Sequence, residues 1–548
     1  MTKTFSVTFL PSGHAAETSG SEVLLEIARR SGVRIASACG GRGSCHSCSV
    51  RLEGEVPPPG VKDVADFTPE DLATGWRRAC QTRPIGNCTV HVPAKTAAAA
   101  VMSGQDAGVQ VVPIEQPILV RGSAPGYWRR GEHTVGPVAG DRALGLAVDL
   151  GTTNMAAALV DMTSGEVVGT AAKENPQAAF GADVISRCMH AMRGEASALA
   201  LQQAAVAGIT ELASQLTKGH PEQVAELAVV GNSVMQHLLL HLPVDQLARA
   251  PHHPKIYDAV DVLAAELKFP FAPGAWVNVG PDIAGFVGSD HVAALLETLA
   301  APPPGSWALL DIGTNTEISL FNEGLLMSVS CASGPAFEGG MLSCGMAAAP
   351  GAVQRVHLNG GVRLDTIAHA DPVGICGSGA LSIVAELRRS GGADQHGRLQ
   401  ASFPHIRERS RQLEFVLADE EQTGALPVVF TQDDVRAVQL AKGAIRAGLE
   451  SLLQEGKVPP AELGHVIIAG AFGKYIDIED ARTIGMLPPG VEHEKILQVG
   501  NSAGAGVRRI LACAKARQRA SELAKQAHYI ELASRREFQK TFIRSVTL

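Results

Sequence analysis

Leu146-Ala-Val-Asp-Leu-Gly-Thr-Thr-Asn154 and, later in the chain, Ala308-Leu-Leu-Asp-Ile-Gly-Thr-Asn-Thr316 are two copies of one local pattern. Each is an apolar strand that ends on an aspartate (Asp149, Asp311) and turns on a glycine (Gly151, Gly313). Hydroxyl and amide residues follow (Thr152 and Thr153; Thr314 and Asn315), and a second strand begins, Ala156–Val160 in one copy and Glu317–Phe321 in the other. A glycine permits a tight turn whose backbone N–H groups and hydroxyls face one point. Two such hairpins opposed can hold a nucleotide phosphate chain, with the carboxylates placing Mg²⁺ through its waters. A lone Asp-x-Gly-Thr-Thr is a chance turn by default; its recurrence reads as an internally duplicated α/β fold. A third piece, Val466-Ile-Ile-Ala-Gly-Ala-Phe-Gly473, is a buried strand entering a turn where Gly470 and Gly473 suit packing against an adenosine. Walker A spacing is absent from Gly470-Ala-Phe-Gly-Lys474.

Working outward, Pro302-Pro-Pro-Gly305 is a natural boundary. It divides a first half, 144–301, from a second, 302–513. Residues 514–548 read as charged surface helices and are expected at a homodimer contact. Upstream, 95–143 reads as a linker or a reduced middle segment with a small strand element, and 1–94 as a small α+β unit. In that unit Phe5–Phe9 alternates like a strand, a helix runs from Glu22 to Arg30, and Thr89–Val92 is the last strand.

The chain has 10 Cys, five of them within the first unit. Cys39-x5-Cys45-x2-Cys48 lies in one glycine-rich loop, and Cys80 arrives from far along the chain. This is close to the plant-type [2Fe–2S] pattern, with one residue more in the first gap. Zinc favours paired CxxC motifs or Cys/His mixtures, and one CxxC is present. Cys88 is the alternative fourth ligand; Cys80 is preferred because it precedes the final strand, which Cys88 begins. His46 has no second His at Rieske spacing. Arg42, Arg77, Arg78 and Arg83 lie near the ligands in sequence. They would raise the cluster potential and favour an acidic partner, or else are solvated surface arginines.

Composition limits the rest. Of 548 residues, 45% are hydrophobic and 19% charged, with a net charge of −8. That is globular, and it argues against nucleic acid as the main partner. Gly supplies 58 residues, consistent with many close backbone approaches. No apolar run suits a membrane span, and the alternating N-terminus lacks the apolar block of a signal peptide. The expectation is a cytoplasmic protein without a membrane partner. The remaining cysteines, Cys376 included, read as small core residues, and His237, His241, His252 and His253 as surface or core.

The hairpins and third turn resemble the actin/Hsp70/sugar-kinase superfamily, in which two RNase-H-like halves close over ATP. With an N-terminal [2Fe–2S] ferredoxin-like (β-grasp) domain, the whole is similar to the reductive activators of corrinoid-dependent enzymes. Asn175–Arg187, Val230–His237, Gly334–Gly339, Gly374–Gly379 and Val499–Gly504 carry further likeness, while Ala471 stands where a second Gly is usual. The resemblance implies an ATP-hydrolysing activase that reduces a corrinoid from Co(II) to Co(I). Its cofactors would be a [2Fe–2S] cluster on Cys39, Cys45, Cys48 and Cys80, and ATP with Mg²⁺. Asp149 and Asp311 would position Mg²⁺; Gly151, Thr152, Thr153, Gly313, Thr314 and Asn315 would contact phosphates. Gly470 and Gly473 would line the adenosine, with Asn232 and Gly377 at the cleft. The water-activating carboxylate stays open among Asp282, Asp290, Glu317 and Glu338. Partners would be a corrinoid protein of a methyltransferase system and a flavin- or ferredoxin-linked reductase. The alternative is a small-molecule kinase with a redox-sensing cluster module.

Overall fold

The computed structural model describes residues 4–37, 41–43, 47–93, 96, 111–123, 127–137, 142–181, 183–409, 411–423, 426–532 and 534–548. The N-terminal unit contains β1 (Phe5–Leu10), β2 (His14–Thr18), β3 (Ser49–Gly54), β4 (Trp76–Arg78) and β5 (Cys88–His91), in spatial order β2-β1-β5-β3-β4. Period-two alternation puts Val7 and Phe9 of β1 wholly inside. The helix Leu24–Arg30 crosses the sheet and buries Leu24, Leu25, Ile27 and Ala28. One helix over a mixed five-stranded sheet is the expected β-grasp arrangement.

Three short strands follow: β6 (Val120–Arg121), β7 (Tyr127–Arg130) and β8 (His133–Pro137). The segment read as a linker thus holds an antiparallel sheet, and it is tied down. Trp128 is buried. Arg130 donates to Glu226 Oε1 (3.1 Å) and to Asp261 Oδ1 (2.6 Å). Glu226 is fully buried and also takes Arg517 at 2.8 Å, so two guanidinium groups offset its desolvation.

The first large sheet contains β9 (Leu144–Leu150), β10 (Asn154–Asp161), β11 (Val167–Glu174), β12 (Val224–Val230), β13 (Val260–Leu263) and β14 (Trp276–Val279), in order β11-β10-β9-β12-β14-β13. The second half opens with β15 (Trp307–Ile312), β16 (Thr316–Asn322) and β17 (Leu325–Cys331). It then carries two small three-stranded sheets, β18 (Ala352–His357), β19 (Arg363–Thr366), β20 (Gly374–Ile375), and β21 (Ile406–Arg409), β22 (Gln412–Ala418), β23 (Val428–Thr431). It ends with β24 (His465–Ala469), β25 (Ile496–Gly500) and β26 (His528–Tyr529). Its main sheet runs β25-β24-β15-β16-β17-β26. In each half a hairpin of two strands is extended by a third antiparallel strand, and a parallel strand lies on the other flank of the first. The duplication read in the sequence is therefore a duplicated topology. The strand Val224–Val230 is buried on both faces and is apolar apart from Glu226, the residue met by Arg130 and Arg517.

The halves also share material. The helix Ser502–Ala512 follows β25 of the second sheet, yet Val507, Ile510 and Leu511 belong to the first core. Gly506 packs so tightly that a Cβ there would lie 2.0 Å from the Ala293 carbonyl oxygen. The C-terminal segment is built in as well. β26 pairs with β17, and the helix Arg536–Ser545 lies on the helix Gln432–Glu455, where Gln439 and Lys442 donate to the carbonyls of Val546 and Thr547. Among the described residues, no helix is long and apolar enough to cross a membrane.

Candidate functional site: a two-hairpin cleft and a cysteine pair

Register places the hairpins. Asp149, next to last in β9, lies opposite Ala156 of β10 and beside Val230 of β12. Asp311 holds the matching place in β15, opposite Glu317 of β16 and beside Ala469 of β24. Directly opposed residues of an antiparallel pair share a face, so Asp311 and Glu317 form a like-charge pair. Asp290, at the start of the helix Ser289–Thr298, adds a fourth carboxylate. Burial pushes Asp149 up to about 6. Burial, then the charges of Asp290 and Asp149, push Asp311 up to about 8. Asp290 is raised by burial and by Asp149, and Glu317 by burial, Asp290 and Asp311. Mutual repulsion of this kind is relieved by a cation.

The turns face each other. Thr153 Oγ1 of the first half donates to Glu338 Oε2 at 2.8 Å, and Thr314 Oγ1 of the second donates to Glu338 Oε1 at 2.6 Å. One carboxylate therefore receives a hydroxyl from each half, as a phosphate oxygen would. The first turn is braced from behind. Asn232 Nδ2 donates to Thr152 Oγ1 (2.9 Å), and its Oδ1 caps the helix Ser233–Leu239 at Met235 N. Arg187, fully buried, donates to the Thr152 carbonyl at 2.5 Å. Asn175 Nδ2 donates to the Gly151 carbonyl at 2.8 Å. Asn501 Nδ2 donates to Asp149 Oδ2 at 3.2 Å and caps the helix Ser502–Ala512. In the second turn, Gly313 N donates to the Asn315 carbonyl.

The third turn meets this site. Gly470 has φ of +89°, and a Cβ there would lie 2.7 Å from the Ile312 carbonyl oxygen and 3.1 Å from Asp311 Oδ1. Phe472 stacks on Phe337 at 4.7 Å, while the Gly473 carbonyl accepts from Gln498. Gly377 lets the helix Gly377–Ser390 start against the Pro335–Glu338 turn; a Cβ there would lie 1.8 Å from the Phe337 carbonyl oxygen. Of the four water-activating candidates, Asp290, Glu317 and Glu338 belong to the cleft. Asp282 is buried and held by Gln236 at 2.8 Å. Sequence reasoning gave no role to Arg187 or Asn501, although both lie in the stretches Asn175–Arg187 and Val499–Gly504 that carry the likeness. The cap position of Asn501, ahead of Ser502-Ala-Gly504, is the signal for one; nothing local marks the other. Cys376 is buried with its thiol on the Val353 carbonyl. The pattern of hydroxyls, tight glycines and crowded carboxylates fits a nucleotide with its cation.

In the N-terminal unit, Cys48 Sγ and Cys80 Sγ lie 3.3 Å apart and buried. Gln81 Nε2 binds the Gly41 carbonyl (2.7 Å) and lies 3.5 Å from Cys80 Sγ, joining the two segments. Gly41 and Gly43 have φ of +91° and +75°, which suits a loop wrapping a cluster. Cys39, Cys45 and His46 lie outside the described residues. Cys88 sits in the core of the unit at the start of β5, its thiol pushed up to about 11 by burial and then Glu55. The donors present fit an iron–sulfur cluster. Of the four arginines, Arg77 and Arg78 are buried, not solvated. Arg77 binds the Pro57 carbonyl, and Arg78 binds Asp66 and Ser49. Arg83 donates to the Ser21 carbonyl.

Residues 7–84 match a family described as a 2Fe-2S iron-sulfur cluster binding domain. Residues 144–299 match the RACo middle region, and 306–548 the C-terminal, ASKHA domain of RACo. The corrinoid activation enzyme RamQ of Eubacterium limosum is 33% identical over 73% of this chain and 69% of its own. The [Co(II) methylated amine-specific corrinoid protein] reductase of Methanosarcina barkeri is 29% identical over 53% of this chain and 56% of its own. A solved structure, a reductive activator for a corrinoid, iron–sulfur protein, superposes with a TM-score of 0.70 at 30% identity, covering 99% of this chain and 98% of that one. The chain therefore belongs to the family of reductive activators of corrinoid proteins, with a [2Fe–2S] ferredoxin-like domain and an ATP-binding ASKHA domain.

Proposed function

We propose that the chain uses ATP to drive one-electron reduction of a corrinoid protein from Co(II) to Co(I), with residues 1–94 delivering the electron and the halves 144–301 and 302–513 binding nucleotide. The observation that carries the reading is the convergence of Thr153 and Thr314, one from each half, on a single anionic group. A ligand that takes both hydroxyls in place of Glu338 resets the spacing of the two hairpins, so binding is transmitted as relative motion of the halves. Likeness over 99% of this chain to a solved corrinoid activator favours this over the kinase alternative.

When bound, the cluster supplies single electrons and ATP supplies the energy for an uphill transfer. The protein's own part is placement. Cys48 and Cys80, with Cys39 and Cys45, would hold the iron. Gly151, Thr152, Thr153, Gly313, Thr314 and Asn315 would meet the phosphates, with Asn232 orienting Thr152. Gly470 and Gly473 would border the adenosine, with Gly377 positioning the Glu338 turn. Among the described residues no three His, Cys, Asp or Glu side chains are arranged to ligate a metal. Mg²⁺ keeps several waters, so Asp149 and Asp311 would hold it through that shell.

The energy scale is reasonable. A plant-type cluster lies near −400 mV. A further gap of roughly 0.2 V for one electron is about 4.6 kcal/mol, at ~59 mV per tenfold. A ~10³–10⁴-fold preference of one closed complex over the other redox state supplies it. The partner is a corrinoid protein, the donor a flavin- or ferredoxin-linked reductase, and the site of action the cytoplasm. A homodimer would use the C-terminal helices. Absorbance of Co(I) formed with and without ATP, under one reductant and with a corrinoid protein present, tests the reading. ATP-dependent Co(I) supports it; equal final yields remove the energetic role of ATP.

A further inference from the structure

The iron–sulfur unit touches both halves of the ATPase. On the first half, Arg34 pairs with Glu174, and Arg42 Nη2 lies 2.7 Å from Asp183 Oδ2. On the second, Arg409 at the end of β21 reaches Asp71 Oδ2 at 3.1 Å, beside Thr68 Oγ1. Arg42 belongs in sequence to the segment between Cys39 and Cys45, so one docking contact comes from the stretch that carries the proposed cluster ligands.

Both first-half contacts lead to the same turn. Glu174 ends β11, and the next residue, Asn175, donates its N–H to the Thr153 carbonyl and its amide to the Gly151 carbonyl, each at 2.8 Å. Asp183 caps the helix Val184–Ala191 at Ser186 N (2.8 Å), and that helix carries Arg187, bound to the Thr152 carbonyl. Burial pushes the Asp183 carboxyl up, but the Ser186 N–H and Arg42 hold it below the usual range, so it stays charged toward Arg42. Two short relays thus run from the cluster unit to Gly151, Thr152 and Thr153.

We propose that the iron–sulfur unit is a reversible strap across the two ATPase halves. Docked through Arg34, Arg42 and Asp71, it opposes separation of the two phosphate hairpins, and nucleotide binding loosens it. The inference rests on the nucleotide reading above. Its logic is reciprocal: hairpins bridged by Glu338 must move to admit phosphate, a body attached to both halves resists that motion, and whatever favours the motion disfavours the attachment. Exposed ion pairs are weak enough individually to be exchanged. Release uncovers Arg34 and Arg42 for an acidic electron-transfer partner, which competes with Glu174 and Asp183 for the same arginines.

The test uses the full chain carrying its cluster. Four proteins are compared: wild type, Arg34→Glu, Arg409→Glu, and the swap Arg34→Glu with Glu174→Arg. Affinity for a fluorescent, non-hydrolysable ATP analogue with Mg²⁺ is measured alongside hydrogen exchange of segments 28–37, 66–74, 170–187 and 404–412. Arg34→Glu and Arg409→Glu should each tighten the analogue about threefold to tenfold and raise exchange in these segments, and the swap should return both to within about twofold of wild type. The analogue should raise exchange of the same segments in wild type. Equal affinity in all four proteins, with exchange showing the unit released, overturns the strap alone. A wild-type chain that binds no nucleotide overturns the phosphate-site reading, and the strap with it.

Discussion

Replacing Glu338 by Ala should strengthen nucleotide binding while weakening turnover. Glu338 is half-buried and takes hydroxyl hydrogen bonds from Thr153 at 2.8 Å and Thr314 at 2.6 Å. A phosphate that uses those hydroxyls must displace the carboxylate. The two hydrogen bonds are exchanged, carboxylate for phosphate, so their ~1.5–3 kcal/mol each largely cancels. Repulsion between the displaced carboxylate and the incoming phosphate does not cancel. At ~6 Å and an effective dielectric of ~20, one unit pair costs about 2.8 kcal/mol. Side-chain rotation into water lowers that, so a gain of ~1.4–2.8 kcal/mol, or about tenfold to a hundredfold in affinity, is expected. Glu338→Gln should gain less, because its amide can still engage one threonine. The assay is calorimetric titration with the Mg²⁺ complex of a non-hydrolysable ATP analogue, paired with phosphate release in the presence of a corrinoid protein. Binding by Glu338→Ala equal to or weaker than wild type refutes the competition argument. Undiminished phosphate release refutes a role for Glu338 in hydrolysis.

Cys48→Ser and Cys80→Ser should each lose the iron and visible absorbance of the purified chain, while Cys88→Ala keeps about two irons per chain; iron content measured by chelation decides it. Asp311→Asn should abolish ATP hydrolysis and flatten the pH dependence of stability without Mg²⁺. The folded state holds the Asp311 proton up to about 8 while the unfolded chain loses it near 4. Stability therefore falls as pH rises through that window, by up to ~1.4 kcal/mol per pH unit from this group, and denaturant titrations at pH 5 and 8 should show the variant without that share of the loss. Lys442 is fully buried, its ammonium pushed down to about 7 by burial and then Arg446. Folding therefore costs it a proton between pH 7 and ~10.4; the penalty is full below pH 7 and fades as pH rises. Lys442→Met should be neutral or stabilising at pH 7, and its melting temperature should lack the rise with pH seen in wild type.

What was legible in the chain follows from how far each determinant acts. Asp149-Leu-Gly and Asp311-Ile-Gly are local: a strand, its terminal carboxylate and a glycine turn occupy a few residues, and repetition exposes the duplicated topology. The cysteine loop is local too, which is why Cys48 could be matched with Cys80 although the latter lies far along the chain. Glu338 is different. It was one of four interchangeable carboxylates, because its meaning comes from Thr153 and Thr314 arriving from opposite halves. Arg77 and Arg78 stand next to a ligand in sequence, yet their partners are Pro57 and Asp66, and a charged pair gives no local sign that it is buried. The helix Ser502–Ala512 shows the strongest form of this effect. Its apolar face carries helical period but no address, and only the packed structure reveals that it completes the core of the other half. Asn501 then gains a role beyond the helix cap that its own neighbourhood displays. Starting the borrowed helix fixes an amide on Asp149, so a carboxylate of the first hairpin is oriented by a residue that follows the last strand but one of the second half. Motion of the second half therefore reaches the first half's aspartate directly, a coupling that a two-half nucleotide clamp requires.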